Sequence, residues 1–335
     1  MQDILVQRAK EGDAACTFIA PCIIFTKILK KSFVVRSPEN DSSFILCYTL
    51  FTKGKGGKIV YKLEKSIEIG QNRDVHCAHG KVAVQGIGMS VYSFFVDGLL
   101  IDTGSNSLSQ EFQSFFNELA IEQVALTHAH EDHSGNAAWI QQQRNVPIYI
   151  HRESVDICAQ DGDYPLYREA LWGKRPAFVA QPFGDTLQTK SATWDIISTP
   201  GHTTDHLSFY NRASGAMFTG DLYIQTKTKV VLDEENIVHT LASLKKLLNY
   251  DFETVYCCHA GFLADGRARI QEKITYLEEL EGEVRKLYDQ GHTVDEITKT
   301  IFRRDYPITK ASGEQWSSKH IITALTQHFM QESLR

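Results

Sequence analysis

Long apolar runs and paired cysteines are both missing from this sequence of 335 residues. The most apolar N-terminal run, Ala14 to Leu29, is interrupted by Pro21 and Lys27, so it fits neither a signal peptide nor a membrane span. The 7 cysteines are odd in number and have no paired spacing, which argues for reduced thiols rather than a disulfide framework. We therefore expect a cytoplasmic protein without a membrane anchor.

A strongly basic surface and a phosphate-binding loop are also lacking. Residues 71–265 carry 13 Lys+Arg against 23 Asp+Glu, and an acidic body of this kind repels a polyanion. The Gly-Lys turn over Lys53–Lys58 lacks the spacing, the following Ser or Thr and the helix of a phosphate-binding loop. These absences favour a small-molecule substrate over nucleic acid, although they do not exclude nucleic acid.

The composition, with 42% hydrophobic and 23% charged residues, is that of an ordinary globular protein. The length of 335 residues predicts more than one domain. We divide the chain into a β-rich N-terminal extension (1–70), a catalytic core (71–265) and a helical C-terminal lobe (266–335). The extension contains a predicted β-hairpin whose turn is Lys53–Lys58. Partner binding or homodimer formation is one hypothesis for this extension.

From Gly266 onward the apolar spacing is helical. Thr293 and Glu296 fit a capping box that opens a second helix. Pro307 is predicted to end that region, and Trp316 is assigned to a third helix. The lobe has 11 Lys+Arg and 11 Asp+Glu, so it offers no basic patch.

The densest group of metal-type ligands lies between Thr127 and Asn136, directly after a short apolar run. Within six residues it holds three imidazoles and a carboxylate: His128, His130, Asp132 and His133. On a strand that runs into a loop, His128 and His130 point to one side, and a helix can begin near Ser134, a good cap residue. Imidazole and carboxylate are ligands of zinc, iron and manganese, so this run predicts a metal site.

Three further ligand-type residues recur downstream: His202, Asp221 and His259. Each follows a short apolar or β-branched run, and a glycine beside or near each one lets the backbone turn sharply. A single histidine is usually a surface or core group. The recurrence of these types in matching contexts favours a metal site over that interpretation.

The order His-x-His-x-Asp-His, Gly-His, Gly-Asp and a late His resembles that of the metallo-beta-lactamase superfamily over roughly residues 82–261. His206, four residues after His202, makes the chain most similar to glyoxalase II-like members. The resemblance implies an α+β fold, a four-layer αββα sandwich, here with the N-terminal β-hairpin extension and a three-helix lobe. That lobe is similar to the winged-helix-like extension of hydrolase and endoribonuclease members, although no wing strands are evident. The implied ligands are His128, His130 and His202 for one metal, Asp132, His133 and His259 for the other, and Asp221 as the bridge.

Two divalent cations held by only two carboxylates leave positive charge in the cleft, and a water bridging them loses a proton near neutral pH. We therefore expect a hydrolase of a small ester, thioester or lactone, with zinc favoured and iron or manganese as alternatives. Asp132 is a catalytic candidate because it can orient the attacking water or accept its proton. Tyr223 is the second, because a tyrosine near this place in acyl-homoserine lactonases points at the substrate carbonyl. The spacing here is one residue shorter, and a packed strand tyrosine is the alternative interpretation.

Three other functions stay open at this point: an endoribonuclease of the same fold, a mononuclear iron persulfide dioxygenase that uses a subset of the ligands, and a binding module whose metal only adds stability. Asp102 and His206 are predicted to brace the ligand loops. Cys257 and Cys258 are interpreted as buried, inert thiols rather than reactive ones. The stretch 158–183, rich in Tyr, Trp and Arg, either recognises substrate or packs as a surface loop.

Overall fold

The computed structural model of the chain describes residues 25–36, 44–54, 60–84 and 87–334. Within these ranges a first sheet has nine strands in chain order: β1 (Phe25–Arg36), β2 (Phe44–Gly54), β3 (Val60–Asn72), β4 (Val75–Val84), β5 (Ile87–Val96), β6 (Leu99–Ile101), β7 (Gln123–Ala125), β8 (Ile148–Ile150) and β9 (Gln181–Pro182). Neighbours from β1 to β6 are antiparallel and those from β6 to β9 are parallel.

A second sheet of six strands forms within the same described ranges: β10 (Thr186–Gln188), β11 (Thr193–Ser198), β12 (Leu207–Asn211), β13 (Ala216–Gly220), β15 (Val255–Cys257) and β16 (Gly261–Leu263). Its strands are antiparallel except for the parallel pair β13 and β15. Two short strands, β14 (Val231–Leu232) and β17 (Trp316–Ser317), pair with each other and join the core to the C-terminal region.

Helices follow or connect these strands: α1 (Ser109–Asn117), α2 (Glu131–Ser134), α3 (Ala137–Arg144), α4 (Val155–Cys158), α5 (Leu166–Trp172), α6 (Ile237–Leu247), α7 (Gly266–Asp289), α8 (Val294–Ile301), α9 (Pro307–Ala311) and α10 (Ser318–Ser333). Short 3-10 turns cover Asn106–Leu108 and Arg152–Ser154. Helices α1 and α5 pack on the first sheet and α7 on the second, which gives the helix–sheet–sheet–helix layering.

The two sheets meet through aromatic side chains. Phe94 of β5 lies edge-on to Phe218 of β13 and to Tyr256 of β15, with ring centroids 5.7 and 5.5 Å apart. Phe218 in turn stacks on Tyr256 at 4.6 Å. Alternate residues of a strand face opposite sides, so the aromatic rings on one side of each sheet fill the interior between the sheets. The loops at the strand ends lie outside this packing.

The α+β sandwich with C-terminal helices is confirmed. The capping box of α8 lies where the sequence predicts it. Asp97–Gly98 forms the turn between β5 and β6, and Phe112, Phe115 and Phe116 lie in α1. Strand β3 crosses residue 70 and pairs with β4, so the strands before that position continue the first sheet. The division into three domains stays a prediction.

Three local predictions were wrong. Trp316 lies in strand β17 rather than in the third helix, because its backbone pairs with Leu232. Pro307 does not end a helix; it opens the short α9 at the first helical turn, where its missing N–H costs nothing. Ser134 does not cap a helix start; it ends α2, and its hydroxyl donates to the carbonyls of Ala129 and His130.

Among the described residues, no helix has both the length and the apolar character needed to span a bilayer. The four cysteines whose side chains the structure describes, Cys77, Cys158, Cys257 and Cys258, are all free thiols. The predicted turn over Lys53–Lys58 falls largely outside the described residues.

The inter-sheet aromatic contact should dominate stability. Phe94→Ala removes a ring that is 1% exposed, and we expect the free energy of unfolding to fall by about 3–5 kcal/mol in urea denaturation. Val179→Ala, at a side chain that is 70% exposed, should change it by no more than about 0.5 kcal/mol. Equal losses in the two variants would show that the sheets are not held together at this point.

Candidate metal centre

The predicted ligands sit in loops that leave the ends of strands in both sheets. His128, His130, Asp132 and His133 follow β7 of the first sheet, whereas His202, Asp221 and His259 follow β11, β13 and β15 of the second. At two of these strand ends the backbone passes so close to other atoms that only glycine fits. Gly220, before Asp221, has φ +48°, and a Cβ there would lie 2.6 Å from His206 Nε2; a Cβ on Gly201, before His202, would lie 2.4 Å from Thr240 Oγ1.

The structure brings all seven predicted ligands together. Their potential ligand atoms fall into three groups, each with its atoms within 4.8 Å of one another: His128, His130 and His202; Asp132, His133 and His259; and Asp221 with His128 and His133. Asp221 therefore joins the two histidine-rich groups. This is the arrangement that the resemblance implied for two metals with one bridging carboxylate.

The outer nitrogen of each imidazole faces an oxygen atom: four are hydrogen-bonded, and the fifth, His202 Nδ1, makes an ion-pair contact with Glu235. His133 Nδ1 lies 2.8 Å from Asp102 Oδ2, and His130 Nε2 lies 3.0 Å from Glu234 Oε1. The other three pairs are His202 Nδ1 with Glu235 Oε2 at 3.1 Å, His128 Nδ1 with Thr127 Oγ1 at 3.1 Å, and His259 Nδ1 with the carbonyl oxygen of Ser90. An acceptor at one ring nitrogen keeps the proton there, so the other nitrogen presents its lone pair.

The inner nitrogens face one another and two carboxylates at short distances. His130 Nδ1 and His202 Nε2 are 3.0 Å apart, and His259 Nε2 is 3.0 Å from Asp221 Oδ2. His128 Nε2, His133 Nε2 and Asp221 Oδ1 are buried with no hydrogen-bond partner among the described residues. Lone pairs and anionic oxygens at these distances repel unless positive charge lies between them, so the donor set fits divalent cations.

The electrostatics of the cluster also favour a bound cation. Burial lowers the pKa of His202, but the Glu235 and Asp221 carboxylates outweigh burial and raise it to about 9. Burial also opposes a charge on His133, yet Asp221, Asp132 and Asp102 raise its pKa well above the usual value. The surrounding carboxylates therefore stabilise a cation at the centre, whether a proton or a metal ion supplies it.

Asp102 braces the loop after β7 that carries four of the predicted ligands, as predicted. It is fully buried, and its two oxygens accept from Thr127 N and Thr127 Oγ1 at 2.8 Å each, as well as from His133 Nδ1. The Cys258 thiol, 3.0 Å away, is a further donor. His206 braces the second sheet in the same way, since its Nε2 accepts from the backbone N–H of Asp221 at 3.0 Å.

Tyr223 lies elsewhere than predicted. Its ring is buried in the hydrophobic cluster formed with α6 and α7, and its hydroxyl is 3.0 Å from Thr226 Oγ1. It is not among the described residues that line the cavity over the ligands. Tyr223 has no part in the mechanism proposed below.

A cavity of about 290 Å³ opens onto the cluster and is lined by five of the seven predicted ligands: His130, Asp132, His202, Asp221 and His259. The stretch 158–183 contributes Tyr167, Arg168, Leu171 and Trp172 to its wall. Arg168 does not face the cavity with a free charge, because it binds Glu131 through two hydrogen bonds of 2.6 Å. The stretch thus packs through Arg168 and lines the cavity through Tyr167 and Trp172, while substrate recognition by it stays a prediction.

Sequence reasoning missed three charged residues at this site. Glu234 and Glu235 hold the outer nitrogens of His130 and His202, and the pair Glu-Glu just before α6 was the available signal. Lys273 of α7 is 3% exposed and lines the cavity, and its ammonium donates to the carbonyls of Leu222 and Tyr223 at 3.2 and 2.5 Å. Burial lowers the pKa of Lys273 to about 8. A lysine inside a helical stripe gives no signal of this kind.

Comparison with known proteins agrees with this geometry. The family model of the metallo-beta-lactamase superfamily matches residues 86–259, which is more than half of the chain. The chain belongs to the metallo-beta-lactamase superfamily.

Curated relatives of the chain include enzymes. A lactamase-like protein of Aspergillus sp. (strain MF297-2) is 27% identical over 231 residues, which are 67% of this chain and 63% of that protein. An atrochrysone carboxyl ACP thioesterase of Claviceps purpurea is 25% identical over 260 residues, 76% of each chain. A beta-lactamase-like protein 2 homolog of Caenorhabditis elegans is 24% identical over 66% of this chain and 72% of that protein.

Solved structures show the same fold. A metallo-beta-lactamase family protein of Thermus thermophilus superposes with a TM-score of 0.55 at 18% identity, covering 73% of this chain and 89% of that one. A metallo-beta-lactamase of Pontibacter korlensis gives 0.51 at 16% identity, covering 63% and 99%. The sandwich is therefore shared, while the substrate is not determined by this likeness.

The bracing role of Asp102 can be tested without any substrate. Asp102→Asn replaces an acceptor with an amide N–H2 that faces other donors, and we expect zinc affinity to fall by about 10–100-fold in competition with a chromogenic chelator. Asp97→Asn, in a turn where the carboxylate accepts from Ser191, is the matched control and should bind zinc normally. Unchanged zinc affinity in Asp102→Asn would refute the role of Asp102.

Proposed function

We propose that this protein is a metal-dependent hydrolase of acyl thioesters, with related esters and lactones as further substrates of the same chemistry. The observation that carries the proposal is the convergence of five imidazole lone pairs and two carboxylates at the floor of a cavity. Relatives named as thioesterases support the thioester over the ester, and the second histidine at His206 is the glyoxalase II-like feature that supports it from the sequence.

The residues would hold two divalent cations, with zinc favoured and iron or manganese as alternatives. One would lie among His128, His130 and His202, the other among Asp132, His133 and His259, with Asp221 between them. When bound, such cations lower the pKa of a coordinated water and stabilise negative charge on a carbonyl oxygen.

Asp132 is positioned to handle the proton. It lines the cavity, is 6% exposed, and lies 3.7 Å from His133 Nε2 and 3.6 Å from His259 Nε2. Its carboxylate can orient the attacking water and accept a proton from it. The water oxygen then bonds to the carbonyl carbon, the C–S bond breaks with its electron pair on sulfur, and the sulfur takes up a proton, which yields a carboxylic acid and a thiol.

Metal removal tests the reaction directly. Hydrolysis of an acyl thioester of N-acetylcysteamine should cease on dialysis against a chelator and return with Zn²⁺. Asp132→Asn should lower kcat by about 10²–10⁴-fold, since a positioned proton acceptor contributes that much. Asp156→Asn, an exposed aspartate of α4, is the control and should leave kcat unchanged. Metal-dependent cleavage of RNA without thioester turnover would replace this proposal with the endoribonuclease.

Metal content separates the remaining functions. We expect two zinc ions per chain by elemental analysis of protein purified without added metal. One iron per chain would favour the persulfide dioxygenase instead. A protein that takes up no metal, even from supplied zinc, would overturn the proposed hydrolase.

A further inference from the structure

The cavity over the metal centre has a largely apolar wall. Apart from the ligands, it is formed by side chains from several separate parts of the fold, including Met89, Leu171, Trp172, Ile224, Val231 and Trp316. Burial of a polar or charged group against such a wall costs free energy unless that group finds a hydrogen-bond partner. The wall therefore suits an apolar ligand of modest size.

The basic side chains on this wall are already bound by protein groups, Arg168 by a carboxylate and Lys273 by backbone carbonyls. Of the described residues that line the cavity, Arg168 and Lys273 are the cations apart from histidine. Arg168 is engaged by Glu131, whose side chain is fully buried, and lies 3.8 Å from Glu234 as well. Lys273 donates to two backbone carbonyls. Diverting Arg168 to a bound anion would leave Glu131 buried without its partner, which is strongly unfavourable.

Trp316 brings the C-terminal lobe into this wall. Its strand β17 pairs with β14, and the backbone N–H of Asp233 donates to the carbonyl of Gln315 at 3.0 Å. The Tyr167 hydroxyl, from α5, donates to the side chain of Gln315. The strand pairing and the two hydrogen bonds of the adjacent Gln315 thus hold Trp316 at the cavity, so the lobe forms part of the cavity wall.

We propose that the cavity binds an uncharged, apolar acyl group and that Trp316 is a specificity-determining residue for it. This inference rests on the proposed thioesterase function. The thiol portion of the substrate lies toward solvent, because the carrier thiols of biological thioesters bear amides and charges that this wall does not satisfy. A substrate whose acyl group ends in a carboxylate is disfavoured, because Arg168 is held by Glu131 and Lys273 by two backbone carbonyls.

The test is a series of N-acetylcysteamine thioesters with acetyl, propionyl, butyryl, pentanoyl and glutaryl groups, assayed with the metal-loaded protein. We expect kcat/KM to rise by up to about fourfold per added methylene, as burial of a methylene predicts. The pentanoyl thioester should exceed the glutaryl thioester, which is similar in length and ends in a carboxylate, by at least about tenfold. Trp316→Ala should reduce the pentanoyl-to-acetyl ratio of kcat/KM, and Trp316→Phe should restore part of it.

Two further variants guard against a trivial result. Leu171→Ala acts from α5, outside the C-terminal lobe, and should reduce the same ratio even if Trp316→Ala loosens that lobe. Met330→Ala, at an exposed side chain of α10, is the lobe control and should leave the ratio unchanged. Turnover with equal pentanoyl and glutaryl rates, or a ratio that neither cavity variant alters, would overturn this inference while the thioesterase stands. No turnover of any thioester would overturn both.

Discussion

The hydrogen bonds on the outer side of the imidazoles are the interactions on which this site depends. Four outer nitrogens are hydrogen-bonded, to Asp102, Thr127, Glu234 and the Ser90 carbonyl, and Glu235 makes an ion-pair contact with that of His202. Because the proton is kept outside, five lone pairs converge on two buried carboxylates, an arrangement that repels itself until cations are present. The aromatic packing between the sheets fixes the strand ends and so keeps these groups close together despite their mutual repulsion.

Each of the two sheets supplies part of the ligand set. The first sheet supplies the compact loop braced by Asp102, and the second supplies three separated ligands braced partly by His206. Neither sheet holds a complete set, and Asp221 lies close to histidines from both: His133 of the first sheet and His202 and His259 of the second. Formation of the centre therefore requires the sandwich, and metal binding should in turn stabilise it, since a ligand that binds only the folded state shifts the folding equilibrium.

The C-terminal lobe belongs to the site as much as to the scaffold. Its helix α7 carries Lys273, which ties down the backbone just after Asp221, and strand β17 carries Trp316 into the cavity wall. The lobe thereby affects both the ligand loop and the volume next to it. Under the proposed function, substrate selectivity is a property of the junction between core and lobe, and the hydrolytic chemistry is assigned to the strand-end loops.

The sequence alone determined the features written in local patterns. Ligand type and order and the Thr293 capping box each depend on a few neighbouring residues, so they could be predicted. The tertiary structure alone decided the rest. Glu234 and Glu235 reach histidines far away in the chain, Trp316 joins a strand because Leu232 lies beside it, and Tyr223 turns into a hydrophobic cluster. These outcomes follow from long-range packing, which local propensity and spacing do not encode.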